Sequence, residues 1–104
     1  MHESLDEALD RASNLPTERR LLIGRRRNPT DRLEWECADI SVLKRLRPLF
    51  VGEDGIGGAI DAFLLGRDRC SLIVLKAPTS MTVLVLGAQT RQQVVDALQE
   101  QAIV

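Results

Sequence analysis

Three consecutive arginines, Arg25, Arg26 and Arg27, are the residues of this sequence best suited to binding chemistry. Six arginines and two acidic residues lie between positions 18 and 32, which gives a local excess of +4 in a chain whose net charge is −1. A concentration of cations of this kind can bind a nucleic acid, an acidic lipid or an acidic protein. The arginine run is therefore the candidate partner surface.

The neighbourhood of the arginines discriminates between these partners. Nucleic-acid sites stack bases on aromatic side chains, and Trp35 is alone near the arginines and is predicted to face the core, which argues against nucleic acid. Glu34 and Glu36 can pair with the arginines across a predicted hairpin. A solvated, partly self-paired face is thus the first interpretation, a surface for a protein partner the second, and a nucleic-acid site the third.

Groups that could carry out catalysis or hold a metal are sparse in the sequence. The single histidine is His2, close to a chain end, and no acid–base pair can be placed without a histidine in the folded body. Cys37 and Cys70 lack the spacing of a metal or redox motif, so we expect no metal site and two reduced, buried thiols. A reactive Cys70 beside Arg69 is the alternative, because cations favour the thiolate.

Four glycines between positions 52 and 58 invite comparison with a phosphate-binding loop. The lysine and hydroxyl of such a loop are missing, and Glu53 and Asp54 would repel a phosphate. Glycine is also the usual residue of loops with unusual dihedral angles, so a flexible connection is the better interpretation.

The composition is that of one ordinary globular domain. The chain has 104 residues, of which 44% are hydrophobic and 28% are charged. No apolar run approaches the roughly 20 residues that a membrane span needs, and the acidic start of the chain does not resemble a signal peptide. We expect a single domain over residues 1–104 and a cytoplasmic location.

The elements that must position these residues begin with two apolar runs, 71–75 and 82–86. Both are about five residues long and apolar at successive positions, which predicts strands covered on both faces at the centre of a sheet. Residues 20–25 and 32–38 are predicted to form a hairpin around a turn at 28–31. In its second strand one buried face is expected to hold Leu33, Trp35 and Cys37, and one wet face Arg32, Glu34 and Glu36.

Capping patterns predict the helices. Ser4 and Thr90 each begin a capping box, which predicts helices over residues 4–13 and 91–101. Between them, Asp39 or Ser41 can cap a helix that ends by Arg47, because a proline follows at position 48. Residues 61–67 are assigned to a third strand, with a short helix around 59–66 as the open alternative.

The element order, helix–strand–strand–helix–three strands–helix, resembles that of the roadblock/dynein-light-chain family. The hairpin of 21–24 with 33–36, the strands between 61 and 87, and the helix from Thr90 carry the resemblance. It implies an α+β fold: an antiparallel five-stranded sheet in the order 2-1-5-4-3, covered by helices on both faces. The resemblance also implies that the central helix lies on one face of the sheet and the two terminal helices on the other.

The same resemblance implies a non-enzymatic protein-interaction module, a regulator or scaffold of a small Ras-like GTPase. It also implies no catalytic residue, metal or organic cofactor, and it carries no functional residue over to this chain. An antitoxin-like or immunity-like protein, or a ligand-binding regulatory domain, stays open as the alternative function, and an enzyme comes third.

A homodimer is expected from the predicted third strand. As the outer strand of the sheet it would present unpaired backbone N–H and C=O groups. It is apolar and has little of the lysine or proline by which exposed edge strands usually avoid unwanted pairing. A two-fold axis would let the strand pair with its own copy, and the apolar stripe of the preceding helix would lie beside it. The predicted interface residues are Val42, Leu43, Leu46, Phe63 and Leu65.

Overall fold

The computed structural model describes residues 4–46, 73–76 and 82–103. The helices in this part are α1 (Leu5–Ala12), α2 (Leu43–Leu46) and α3 (Arg91–Glu100), and the strands are β1 (Arg20–Arg25), β2 (Glu34–Asp39), β3 (Ile73–Lys76) and β4 (Thr82–Leu86). Short 3₁₀ helices at Thr17–Arg19 and Ile40–Val42 precede β1 and α2. The predicted third strand at 61–67, the glycine-rich stretch and Cys70 lie outside the described residues.

The four described strands form one antiparallel sheet in the order β2-β1-β4-β3. The register pairs Ile23 of β1 with Glu36 of β2 and with Leu84 of β4. An α+β fold with an antiparallel sheet is therefore confirmed. The described β3 and β4 are the fourth and fifth of the five predicted strands, so the described order corresponds to 2-1-5-4 of the expected 2-1-5-4-3. The predicted third strand, at 61–67, falls outside the described part.

Strands β1 and β4 are buried on both faces, which confirms the prediction for the apolar run 82–86. Their side chains from Leu21 to Ile23 and from Val83 to Leu86 are at most 1% exposed. A strand apolar at every position gains free energy only when both faces are covered, at about 25 cal/mol for each Å² of apolar surface removed from water. These strands therefore form the centre of the described sheet. The other apolar run, 71–75, contributes β3 at the end of the described strand order, and the burial of its side chains lies outside what the structure describes.

The two terminal helices pack together on one face of the sheet. The apolar cluster on this face contains Leu22, Trp35 and Val85 from the strands, Ala8 from α1 and Val94 from α3. Small residues on α1 let the helix approach the sheet closely, since Ala8 and Ala12 are at most 1% exposed. Trp35 is 4% exposed, so the prediction that it faces the core is confirmed.

The opposite face of the sheet is buried as well. The strand register places Leu21, Ile23 and Leu84 on that side, and none of them belongs to the cluster of the first face. Ile40 and Leu43, which follow β2, are also buried and outside that cluster. Asp39 caps the chain here as predicted, but it caps a 3₁₀ helix through the Ser41 amide, and the α-helix begins only at Leu43.

Both predicted N-cap residues begin helices. The reciprocal capping box is complete at Thr90, whereas at α1 the Glu7 carboxylate accepts from Ser4 Oγ at 3.2 Å instead of from the Ser4 amide. The amide of Glu7 donates to Ser4 Oγ at 3.3 Å, and the amide of Gln93 donates to Thr90 Oγ1 at 3.2 Å. Gln93 Oε1 in turn accepts from the Thr90 amide at 3.2 Å, which completes the reciprocal pair. The prediction of a helix at each end of the described chain is confirmed to within one or two residues.

The helix α3 ends in a turn that the sequence pattern does not predict. The amide of Ile103 donates to the Leu98 carbonyl at 2.9 Å and the amide of Ala102 to the Gln99 carbonyl at 3.0 Å, the two hydrogen bonds of a Schellman motif. Ala102 takes the left-handed conformation with φ 57°, where glycine is usual. This turn sends Ile103 back into the core, where it is 5% exposed.

Candidate functional site

The predicted partner surface lies at the turn end of the β1–β2 hairpin. Arg25 is the last residue of β1, and Arg26 and Arg27 begin the loop that leads to β2. These three arginines line an open cleft of about 670 Å³. The remaining lining residues are Asp31, Arg32 and Glu34. We call this feature the hairpin cleft.

A hydrogen-bonded turn fixes the loop that borders the hairpin cleft. The amide of Asp31 donates to the Asn28 carbonyl at 3.0 Å, and Asn28 Nδ2 donates to Asp31 Oδ2 at 3.1 Å. Between them Pro29 restricts its own φ to about −65°. The predicted turn at 28–31 is confirmed, and it holds the two sides of the loop in a defined separation.

Two of the cleft arginines are engaged by the protein itself. Arg25 Nη1 donates to Glu36 Oε2 at 3.0 Å, which confirms the predicted pairing across the hairpin. Arg26 Nη1 donates to the carbonyl of Ile103 at 3.0 Å and so connects the loop to the turn that follows α3. Both guanidinium groups are therefore held in place before any partner binds.

Arg27 and Arg32 differ from these two arginines. Both are exposed, and within the described part of the chain their guanidinium groups make no hydrogen bond or ion pair. Arg32 contributed to the charge excess of the sequence but was not among the predicted surface residues. The hairpin brings it into the same cleft as Arg27, so the surface comprises four arginines, of which two are held and two are free.

The other arginines of the sequence cluster are structural. Arg20 donates from Nε to the Leu15 carbonyl at 2.8 Å and from Nη1 to the Ala88 carbonyl at 3.2 Å. Arg20 thereby joins the segment after α1 to the segment before α3. The six arginines between positions 18 and 32 therefore do not form one continuous basic surface, because some of them are bound within the fold.

Arg19 forms a two-pronged ion pair at the opposite end of the hairpin. Its Nε and Nη2 atoms donate to the two carboxylate oxygens of Asp39 at 2.8 and 2.6 Å. The Ser41 amide adds a third hydrogen bond to Asp39 Oδ1 at 2.9 Å. The hydrogen bond from Arg19, followed by that from Ser41, lowers the pKa of Asp39 to about 2 and favours its charged form.

The predicted dimer interface lies only partly within the described residues. Leu43 has no exposed surface in a single chain, and Val42 is half-buried. Phe63 and Leu65, and the side chain of Leu46, fall outside what the structure describes. Leu43 therefore already belongs to the core of one chain, and the interface as a whole stays a prediction.

Other chemistry is limited in the described residues. Cys37 is not part of a disulfide and is half-buried, so the predicted full burial holds only in part. In the ranges 4–46, 73–76 and 82–103 no group of three His, Cys, Asp or Glu side chains is placed to hold a metal. None of the described helices combines the length and apolar character needed to cross a membrane.

The chain matches no protein family, no curated protein and no solved structure.

Proposed function

We propose that this protein is a non-enzymatic protein-interaction module that acts as a regulator or scaffold of a small Ras-like GTPase. The observation that carries the proposal is the sheet order β2-β1-β4-β3 with α1 and α3 packed together on one face. This is the arrangement that the resemblance to the roadblock family implies for these strands and for the terminal helices.

The burial of the sheet supports an interaction function. The side chains on both faces of β1 and β4 are buried within the protein. A partner would therefore bind at strand edges, helix surfaces or loops. Among these, the hairpin cleft offers the concentrated charge of Arg27 and Arg32 on a fixed loop. Exposed charges complementary to a partner speed and orient protein association.

The proposal includes a homodimer in the cytoplasm. Edge strands with apolar residues are commonly covered by pairing, and a symmetric pair covers two edges with one contact. The proposed contact comprises Val42, Leu46 and residues 61–67. Leu43 has no exposed surface in one chain and is left out of it. A dimer would present two hairpin clefts to its partners.

Affinity capture from the native cell tests the proposed function. A tagged chain should retain a small GTPase that mass spectrometry identifies, and the purified pair should bind more tightly in one nucleotide state than in the other. Capture of a toxin, or of a small-molecule ligand without a GTPase, would contradict the proposal and favour the antitoxin-like or ligand-binding alternative.

A further inference from the structure

We propose that the hairpin cleft docks an acidic peptide segment of a protein partner, and that Arg27 and Arg32 bind its carboxylates. This inference rests on the proposed function, because it assigns a surface and a partner chemistry to an interaction module. It adds Arg32 to the surface. It also distinguishes the arginines that are fixed by contacts within the protein from those that bind the partner.

The contacts of the four arginines assign them two different roles. Arg25 and Arg26 are committed to Glu36 and to the Ile103 carbonyl, so they form the fixed wall of the cleft. Arg27 and Arg32 are exposed and make no such contact within the described residues. A guanidinium group binds a carboxylate through two parallel hydrogen bonds, so each can take one acidic side chain.

The loop geometry reduces the entropy that binding would cost. The two hydrogen bonds between Asn28 and Asp31 fix the turn between the free arginines. A loop ordered before binding loses less conformational freedom when a partner docks. The open cleft of about 670 Å³ leaves room for a few residues of extended peptide beside the two free arginines.

The cleft suits a peptide better than a nucleic acid. Asp31 and Glu34 line it beside the arginines, and they would repel a backbone that carries a phosphate at every residue. A peptide can alternate carboxylates with neutral residues and so avoid those two acids. Trp35, the aromatic residue of β2, is 4% exposed and provides no stacking surface for bases.

Fluorescence anisotropy with a fluorescein-labelled oligoglutamate peptide tests the site on the full chain. At about 20 mM salt the peptide should bind, and binding should weaken at about 150 mM salt because exposed charges are then screened. The double variant Arg27→Gln/Arg32→Gln should lose about five- to tenfold in affinity, since an exposed ion pair contributes modestly. Circular dichroism should confirm that the variant is folded.

The matched control is Lys44→Gln/Arg45→Gln, which removes the same two charges from exposed positions on α2, outside the cleft. It should keep the affinity of the unaltered protein. Equal losses in both double variants would overturn the site, because they would reflect net charge alone. Tighter binding of a labelled oligothymidylate than of the peptide, or no binding of the peptide, would overturn it as well.

The site and the proposed function can fail separately. If a GTPase is captured equally well by the Arg27→Gln/Arg32→Gln variant, the docking surface is wrong and the function stands. If the peptide binds the hairpin cleft but no GTPase is captured, the surface stands and the function is wrong.

Discussion

At the scale of single residues, Gly24 and Trp35 pack closely against each other in the described core. A Cβ atom on Gly24 would lie 3.0 Å from Cζ3 and 3.1 Å from Cη2 of the Trp35 ring. The register places these two residues directly opposite each other on neighbouring strands. The indole ring therefore occupies the space that a side chain at position 24 would need, and the absence of that side chain lets it do so.

A double-mutant cycle on this pair tests the packing. Gly24→Ala should destabilise the protein by roughly 1–3 kcal/mol, because the ring must move out of a filled core. Trp35→Ala should cost roughly 3–5 kcal/mol, the usual cost for a buried aromatic residue. In the Trp35→Ala background Gly24→Ala should cost little, because the clash is gone.

Urea unfolding followed by circular dichroism measures all three variants, since Trp35 is the sole tryptophan and fluorescence would be lost with it. Additive costs would contradict the contact between residues 24 and 35. Free quenching of the Trp35 fluorescence by acrylamide in the folded protein would contradict its burial.

The carboxylate of Asp39 is expected to make the stability of the protein depend on pH in the acid range. Its pKa of about 2 in the folded state lies below the value of an unfolded aspartate, first because of the hydrogen bond from Arg19. Between pH about 4 and about 2 the unfolded chain binds more protons than the folded chain, so stability falls as the pH is lowered through this window. Above pH about 4 the contribution is fully present.

The variant Asp39→Asn should flatten the loss of stability between pH about 4 and about 2. Its amide oxygen can still accept from the Ser41 amide, so the cap of the 3₁₀ helix is retained. Thermal unfolding at a series of pH values measures the effect, with Asp10→Asn on the exposed side of α1 as the control for net charge. An unchanged acid dependence would show that the ion pair with Arg19 is not formed in solution.

At the scale of elements, the end of α3 carries a local strain. The two hydrogen bonds of the Schellman motif require a left-handed residue at position 102, and alanine there is less favourable than glycine by about 1 kcal/mol or more. Burial of Ile103 in the core and the bond from Arg26 to its carbonyl compensate for this strain.

We expect Ala102→Gly to stabilise the protein by about 0.5–1 kcal/mol, since the gain in the folded state exceeds the extra freedom of glycine in the unfolded chain. The same exchange within α3, Ala97→Gly, should destabilise it by about 1 kcal/mol. Urea unfolding compares the two. A loss of stability in both variants would mean that residue 102 is not left-handed in solution.

At the scale of the whole molecule, both faces of β1 and β4 are already covered, so we expect a dimer contact to use residues outside these faces. The predicted contact includes Val42, Phe63 and Leu65, and light scattering at micromolar concentration should give the mass of a dimer. Phe63→Asp or Leu65→Asp should split it, because a charge would be buried in the contact. Gln99→Asp, on the exposed face of α3, is the matched control and should stay dimeric.

A strictly monomeric mass would remove this interface and weaken the roadblock-like interpretation. A dimer that neither substitution splits would place the contact elsewhere on the surface.

The local patterns of the sequence determined the described elements. Apolar runs, the Asn28–Asp31 turn and the capping residues Ser4 and Thr90 each act over a few neighbouring positions, so their structural consequence can be derived without knowing the fold. The same holds for the alternation of β2, which correctly predicted the burial of Trp35.

The tertiary structure alone decided which arginines are available to a partner. Arg26 binds a carbonyl 77 positions further along the chain, and Arg20 binds one 68 positions away. The left-handed Ala102 and the need for glycine at position 24 likewise depend on a buried neighbour. Such contacts join residues that are far apart in the sequence and share no local pattern, so only the folded structure shows which residues meet.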